Sequence, residues 1–152
     1  MADSNMRELV AFTIDGEEFA VDIGSVQEIN RLTEITRIPN APSHVQGVIN
    51  LRGKITPVIN LRAKLGFPAK PTDAQSRVIV VEVGGTVVGF VVDAVSEVIR
   101  IPKASIDTPP NVPVGESVFV EGVGKLENRL LILLDLQRIF LSPEGAAATG
   151  LG

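Results

Sequence analysis

An internal duplication constrains this chain more than any other feature. Residues 47–65, GVINLRGKITPVINLRAKL, return without a gap as residues 122–140, GVGKLENRLLILLDLQRIF, at an offset of 75. Gly47/Gly122, Val48/Val123, Leu51/Leu126 and Leu61/Leu136 are identical, and Lys54/Arg129, Ile55/Leu130, Val58/Leu133, Ile59/Leu134 and Asn60/Asp135 are conservative pairs. The first copy reads as a β-hairpin. Val48, Ile49 and Leu51 supply one apolar arm and Ile55, Val58 and Ile59 the other, while Arg52-Gly53-Lys54 makes the turn, because Gly takes the positive φ of a tight reversal at little cost. Residues 61–65 then read as a short helical turn closed by Gly66, with Pro68 beyond it. In the second copy Glu127-Asn128 stands at the turn, and the tolerance of Asn for positive φ predicts that the reversal survives.

The repetition extends upstream. Residues 9–14, the turn Asp15-Gly16 and residues 19–21 read as one hairpin; residues 78–83, Gly84-Gly85 and residues 87–92 read as another. The continuous apolar run 87–92 predicts a strand buried on both faces. An acid follows each return strand (Asp22, Asp93), a second acid comes later (Glu28, Glu97), and both halves reach Arg-Ile-Pro, at 37–39 and 100–102. Residues 22–30 read as one to two turns of helix or an irregular crossing into a strand. Residues 43–46 read as a helical turn capped by Ser43. The stretch 67–76 has linker composition. The expected organisation is therefore one domain over 7–142, with a first subdomain 7–66, a linker 67–76, a second subdomain 77–142, and flexible tails at 1–6 and 143–152. Each half is a five-strand unit, short enough to suggest a small barrel with a thin core.

Several function classes are poorly supported. The chain has no cysteine and one histidine, His44, which leaves transition-metal centres, thiolate nucleophiles and Ser/His/Asp chemistry without their residues. GGTVVG at 84–89 lies between strands and is not G-x-G-x-x-G, and Gly124-Lys125 is followed by Leu126 rather than a hydroxyl residue, so no phosphate loop is read. Net charge is −4, and the aromatic residues are six Phe with no Tyr or Trp. That is the wrong surface for a nucleic-acid barrel, which wants a basic groove and stacking rings. No apolar run approaches a membrane span, and the N-terminus lacks the basic and apolar regions of a signal peptide, so a cytoplasmic protein is expected.

The blocks FAVDIGSVQEI, TRIPNAP, GVINLRGKITPVINLR, VVGFVVDAVSEV and GVGKLENRLLILLDL, in this order and at this spacing, resemble the CheW family of bacterial chemotaxis adaptors over nearly the whole chain, from about Leu9 to Phe140. The resemblance implies an all-β fold of two five-stranded SH3-like barrels around a common hydrophobic centre, with short helical turns. It implies no catalytic residues, no cofactor and no metal. The implied partners are the regulatory domain of the histidine kinase CheA and the cytoplasmic tip of methyl-accepting chemoreceptors, in rings beneath membrane-associated receptor arrays. The expected end of the chain soon after Phe140 leaves no room for the receiver domain of a CheV-type adaptor.

Matched residue by residue, the resemblance places Val26, Gln27, Glu28 and Ile29 together with Gly47, Asn50 and Arg52 near a receptor-binding groove. Val26 and Ile29, with Val98 from the other half, are expected to line it and to receive a helix of the receptor. Glu28 and Arg52 are expected to form an ion pair at its rim. Kinase contacts are expected at Ile38, Pro39, Gly53 and Ile55, and at Ile106 and Val112 as a ring-closing surface. The second half lacks a counterpart of Arg52, so Glu97 is expected to have no equivalent partner. Three other readings compete: an adaptor of a chemosensory-like pathway for pili, gliding or biofilm, a carboxylate-using β-barrel hydrolase, and a nucleic-acid-binding barrel.

Overall fold

The computed structural model describes residues 5–32, 34–41, 44–108 and 119–141. Among the described residues eleven strands form two sheets. They are β1 (Met6–Ile14), β2 (Glu17–Asp22), β3 (Val26–Arg31), β4 (Val45–Leu51), β5 (Lys54–Ile59), β6 (Arg77–Val83), β7 (Thr86–Val92), β8 (Ala94–Pro102), β9 (Ile106–Asp107), β10 (Val120–Leu126) and β11 (Arg129–Leu134). Two helices, α1 (Leu61–Leu65) and α2 (Leu136–Leu141), follow the duplicated hairpins. Residues 45 and 46, expected in a helical turn, instead open β4; Ser43 lies outside the described residues.

Local chemistry explains the hairpins. Asp15-Gly16, Arg52-Gly53 and Gly84-Gly85 all have positive φ at both turn positions, the backbone that matches the twist of tight antiparallel pairs. The reversal survives at Glu127-Asn128 as expected, but neither residue has a positive φ. A left-handed Glu beside Asn is disfavoured, so this turn closes with another geometry. α1 is capped by Asn60, whose side chain accepts from Ala63 N, and closed by the left-handed Gly66. Asp135 repeats that cap on Arg138 N.

The sheets do not follow the division into 7–66 and 77–142. One sheet has the order β8-β1-β2-β11-β10-β9 and the other β3-β6-β7-β5-β4. The first hairpin of each half thus joins the later strands of the other half, through parallel pairing of β2 with β11 and of β7 with β5. A 3-10 turn at Ile23–Ser25 follows the first hairpin and leads the chain into β3, in the other sheet. Each sheet then closes into a barrel. In one, Thr36 bridges to Val48 of β4 with two backbone hydrogen bonds of 2.9 Å; in the other, β9 pairs with β10 at the equivalent place.

Period-2 alternation sorts the side chains into three cores. Leu9 and Ala11 of β1 face the interior of one barrel, with Ile101, Leu131 and Leu133. Val78 and Val80 of β6 face the interior of the other, with Ile49 and Val58. The intervening residues, Val10, Phe12 and Ile14 of β1 and Ile79, Val81 and Val83 of β6, meet in a shared seam. All six Phe sit in or against this seam and none in a barrel interior. Phe12 and Phe90 join the two sheets there, with ring centroids 5.7 Å apart. β7 is largely buried, as its apolar run predicts.

Candidate partner-binding surfaces

β3 and β8 are edge strands, one per sheet, and they carry most of the candidate groove. Residues three apart, such as Val26 and Ile29, point to opposite faces of a regular strand. Here a bulge at Gln27 changes that. Val26 stands opposite Val81, and Ile29 opposite Ile79, both of them seam residues. Directly opposed antiparallel residues share a face, so Val26 and Ile29 both lie on the seam side. β8 repeats the device. Val95 opposes Phe12 and Val98 opposes Val10, with the register shift between them. Val26 packs against the seam core, whereas Ile29 (38% exposed) and Val98 (56%) stand open at its two edges.

The polar candidates lie on the other face. Glu28 opposes Val80, a residue of the barrel interior. Its carboxylate accepts from Arg52 Nη1 at 3.1 Å and from Asn30 Nδ2 at 3.1 Å. The expected Glu28–Arg52 ion pair is present. Its position is informative: β3 and β4 are the two ends of one sheet, and the pair ties β3 to the β4–β5 turn across the barrel's closure. Asn50 holds the same turn by accepting from Gly53 N at 2.8 Å. Gly47 is buried against Ile35 and Thr36 rather than open to a partner. Gln27, the bulge residue, is exposed and donates to Glu82. The expected groove set is therefore split: Val26, Ile29 and Val98 lie on the seam side, while Glu28 lies on the opposite face of β3, tied to Arg52 of the β4–β5 turn.

In the second barrel Glu97 has no equivalent of Arg52, as expected, yet it is not left alone. Arg129 Nη2 donates to Glu97 Oε2 at 2.6 Å, and Arg129 Nε lies 3.0 Å from Glu18 Oε1. The guanidinium comes from the start of β11, the position of Lys54 in the first copy, instead of from the turn. The Lys54/Arg129 pair in the duplication carried this signal.

The expected kinase contacts separate as well. Ile38 (45% exposed) and Pro39 line a hollow of about 690 Å³ together with Ile35 and Val45. Ile55 (68% exposed) lies in a different hollow of about 380 Å³, shared with Gln27, Glu28 and Arg52, beside the Gly53 turn. Ile106 is not an open contact. It forms the closing strand β9 and packs on the barrel interior, because Gly122 lets β9 approach closely. Val112 lies outside the described residues. Among the described residues, sequence reasoning missed two exposed large apolar side chains: Ile23, 38% exposed, and Leu130, 61% exposed, which the 75-residue offset pairs with Ile55.

Among the described residues no group of three or more His, Asp or Glu is placed to hold a metal ion. No described helix is long and apolar enough to cross a membrane. The Arg52 side chain is 79% exposed, so its ion pair contributes about 0.5 kcal/mol after solvent screening. Its backbone, at φ 54, is one that glycine adopts more readily. Arg52→Gly is therefore expected to stay within about 1 kcal/mol of wild type in urea denaturation. A larger loss would mean that the pair is essential to the fold.

The CheW-like domain family matches residues 8–144. A chemotaxis protein CheW of Rhizobium meliloti is 39% identical over 143 residues, covering 93% of this chain and 92% of that protein. A probable chemotaxis protein CheW of Rhizobium etli is 41% identical over 144 residues, with shares of 93% and 92%. The crystal structure of the scaffolding protein TtCheW from Thermoanaerobacter tengcongensis superposes with a TM-score of 0.83 at 39% identity, covering 91% of this chain and 94% of that one. The crossed pair of barrels and the near end-to-end match lead to one conclusion: the chain belongs to the CheW-like family of chemotaxis scaffolding proteins.

Proposed function

We propose that this chemotaxis adaptor, which is not an enzyme, bridges the cytoplasmic tip of a methyl-accepting chemoreceptor and the regulatory domain of a CheA-type histidine kinase. It would act in the cytoplasm, recruited to receptor arrays, with residues 7–142 working as one unit because neither barrel can form from one half of the chain. The observation that carries this reading is the separation of two kinds of exposed apolar surface. Ile29 and Val98 flank the seam between the sheets, where a receptor helix would lie. Ile38, Ile55 and Leu130 stand on other surfaces of the protein, where kinase domains would dock. Contacts on different faces of one protomer allow alternating units to close into a ring.

Titration calorimetry with a receptor cytoplasmic hairpin and the kinase regulatory domain from the same organism tests this. Val98→Glu is expected to weaken the hairpin at least about tenfold, roughly 1.4 kcal/mol, and to leave the kinase domain unaffected. Ile55→Glu is expected to do the reverse. If either variant weakens both partners equally, the two-surface reading fails. If wild type binds neither, the partners belong to another pathway, such as one controlling pili, gliding or biofilm.

A further inference from the structure

The seam face of each sheet is built in matching rows across the edge strand and its neighbour. In one sheet the rows are Val95–Phe12, Val98–Val10 and Arg100–Glu8; in the other they are Val26–Val81, Ile29–Ile79 and Arg31–Arg77. The first two rows are apolar in both sheets. The third row differs. Arg100 faces Glu8, with Nε 3.8 Å from the carboxylate, whereas Arg31 directly faces Arg77. Like charges at directly opposed positions oppose strand pairing, and the other sheet shows that the same position accommodates an acid. Arg31 is exposed and Arg77 half-buried, and neither has an ion pair among the described residues. Arg77 uses Nη1 on the carbonyls of Ala74 and Ser76, which leaves its Nη2 and Nε.

We infer that Arg31 and Arg77 are a carboxylate-recognition pair that selects an acidic residue on the helix docked beside Ile29; this rests on the groove reading above. Ile29 and Arg31 lie two residues apart on one strand and one face, roughly 7 Å. One helical turn rises about 5.4 Å, so a helix that seats an apolar side chain on Ile29 brings a residue three or four positions along to the arginines. Guanidinium forks match carboxylates in shape and charge, and two forks facing each other leave a place for one anion to bridge them. The partner that fits is an amphipathic helix with an apolar residue and an Asp or Glu one turn apart.

The test uses the full chain and a receptor cytoplasmic hairpin from the same organism. A set of hairpin variants has each acidic residue near the tip changed to Lys in turn. Arg31→Glu recreates the Glu–Arg row of the other sheet, so it is expected to raise the thermal midpoint by roughly 2 °C. The same substitution is expected to weaken the wild-type hairpin about tenfold, and one acid-to-Lys hairpin is expected to restore binding to it. Gain in stability with loss of binding separates recognition from damage to the fold. Ile29→Glu serves as the control for the groove. If Ile29→Glu abolishes binding and Arg31→Glu leaves it unchanged, the groove stands and the arginine pair is overturned. If Ile29→Glu has no effect, the groove reading fails and this inference fails with it.

Discussion

Gly47→Ala is expected to destabilise the protein by about 3 kcal/mol, far beyond the usual cost of a surface glycine substitution. Gly47 is buried at φ 156, at the point where Thr36 bridges to Val48. A methyl group added there would run into the Thr36 carbonyl oxygen and come within 2.7 Å of Ile35 Cγ2. The obstacle is backbone, not the end of a flexible side chain. Two hydrogen bonds of 2.9 Å hold Thr36 against Val48 and cannot be kept if the strand moves away. That bridge closes the barrel. Gly53→Ala is the natural comparison. Gly53 also has a positive φ, 84, but nothing lies within 4 Å of the added carbon, so only backbone strain of about 1 kcal/mol is expected. Urea denaturation of both variants gives the comparison, and faster amide exchange at Val48 in Gly47→Ala would locate the damage. Equal losses in the two variants would overturn the closure argument. Gly122→Ala should repeat the effect in the other barrel, since its added carbon would lie 2.7 Å from the Asp107 carbonyl oxygen.

The sequence revealed what is decided locally. Asp15-Gly16 and Gly84-Gly85 marked true hairpins, and Gly66 ended α1, because positive φ is a property of a residue and its neighbours. Alternation in β1 and β6 gave the buried positions, yet could not say that one face is a barrel interior and the other a shared seam. Strand exchange was hidden for the same reason. The pattern of β2 is satisfied equally by any apolar neighbour, and its pairing with β11 across more than a hundred residues is settled by tertiary packing. Ion pairs divided along similar lines. Glu28–Arg52 was readable through a known motif, while Glu97–Arg129 required knowing where β8 and β11 lie. Ile106 looked like an exposed loop residue because the two-residue strand β9 is too short to leave a periodic signature. Leu130 was legible in principle, since the duplication already paired it with Ile55.

Arg62→Met is expected to cost about 2 kcal/mol, because it strips the half-buried Asp93 of its nearest cation and leaves Lys70, at 3.8 Å, to face it. Arg62 is the arginine of α1, and its side chain is only 10% exposed. Its Nη2 lies 2.9 Å from Asp93 Oδ2 and 3.2 Å from Asp15 Oδ1, and Nη1 donates to the Pro68 carbonyl. Asp15 belongs to the β1–β2 turn of one sheet, and Asp93 joins β7 of the other sheet to β8, so the guanidinium fastens the two barrels at their crossing. Burial alone would raise the Asp93 carboxyl. The Asp15 N–H, donating at 2.8 Å, and the Arg62 guanidinium outweigh it and hold the carboxyl below its ordinary value. A depressed folded-state pKa adds stability that is fully present above the ordinary carboxylate value, near pH 4, and is lost as pH falls through the lower folded value. The gap between wild type and Arg62→Met in urea denaturation should therefore be wide at pH 7 and narrow as pH falls through the depressed Asp93 value, because a protonated Asp93 no longer needs a counter-charge. A gap that stays constant with pH would assign the loss to packing of the arginine stem. A gap below about 1 kcal/mol at pH 7 would mean that the aromatic seam alone holds the barrels together.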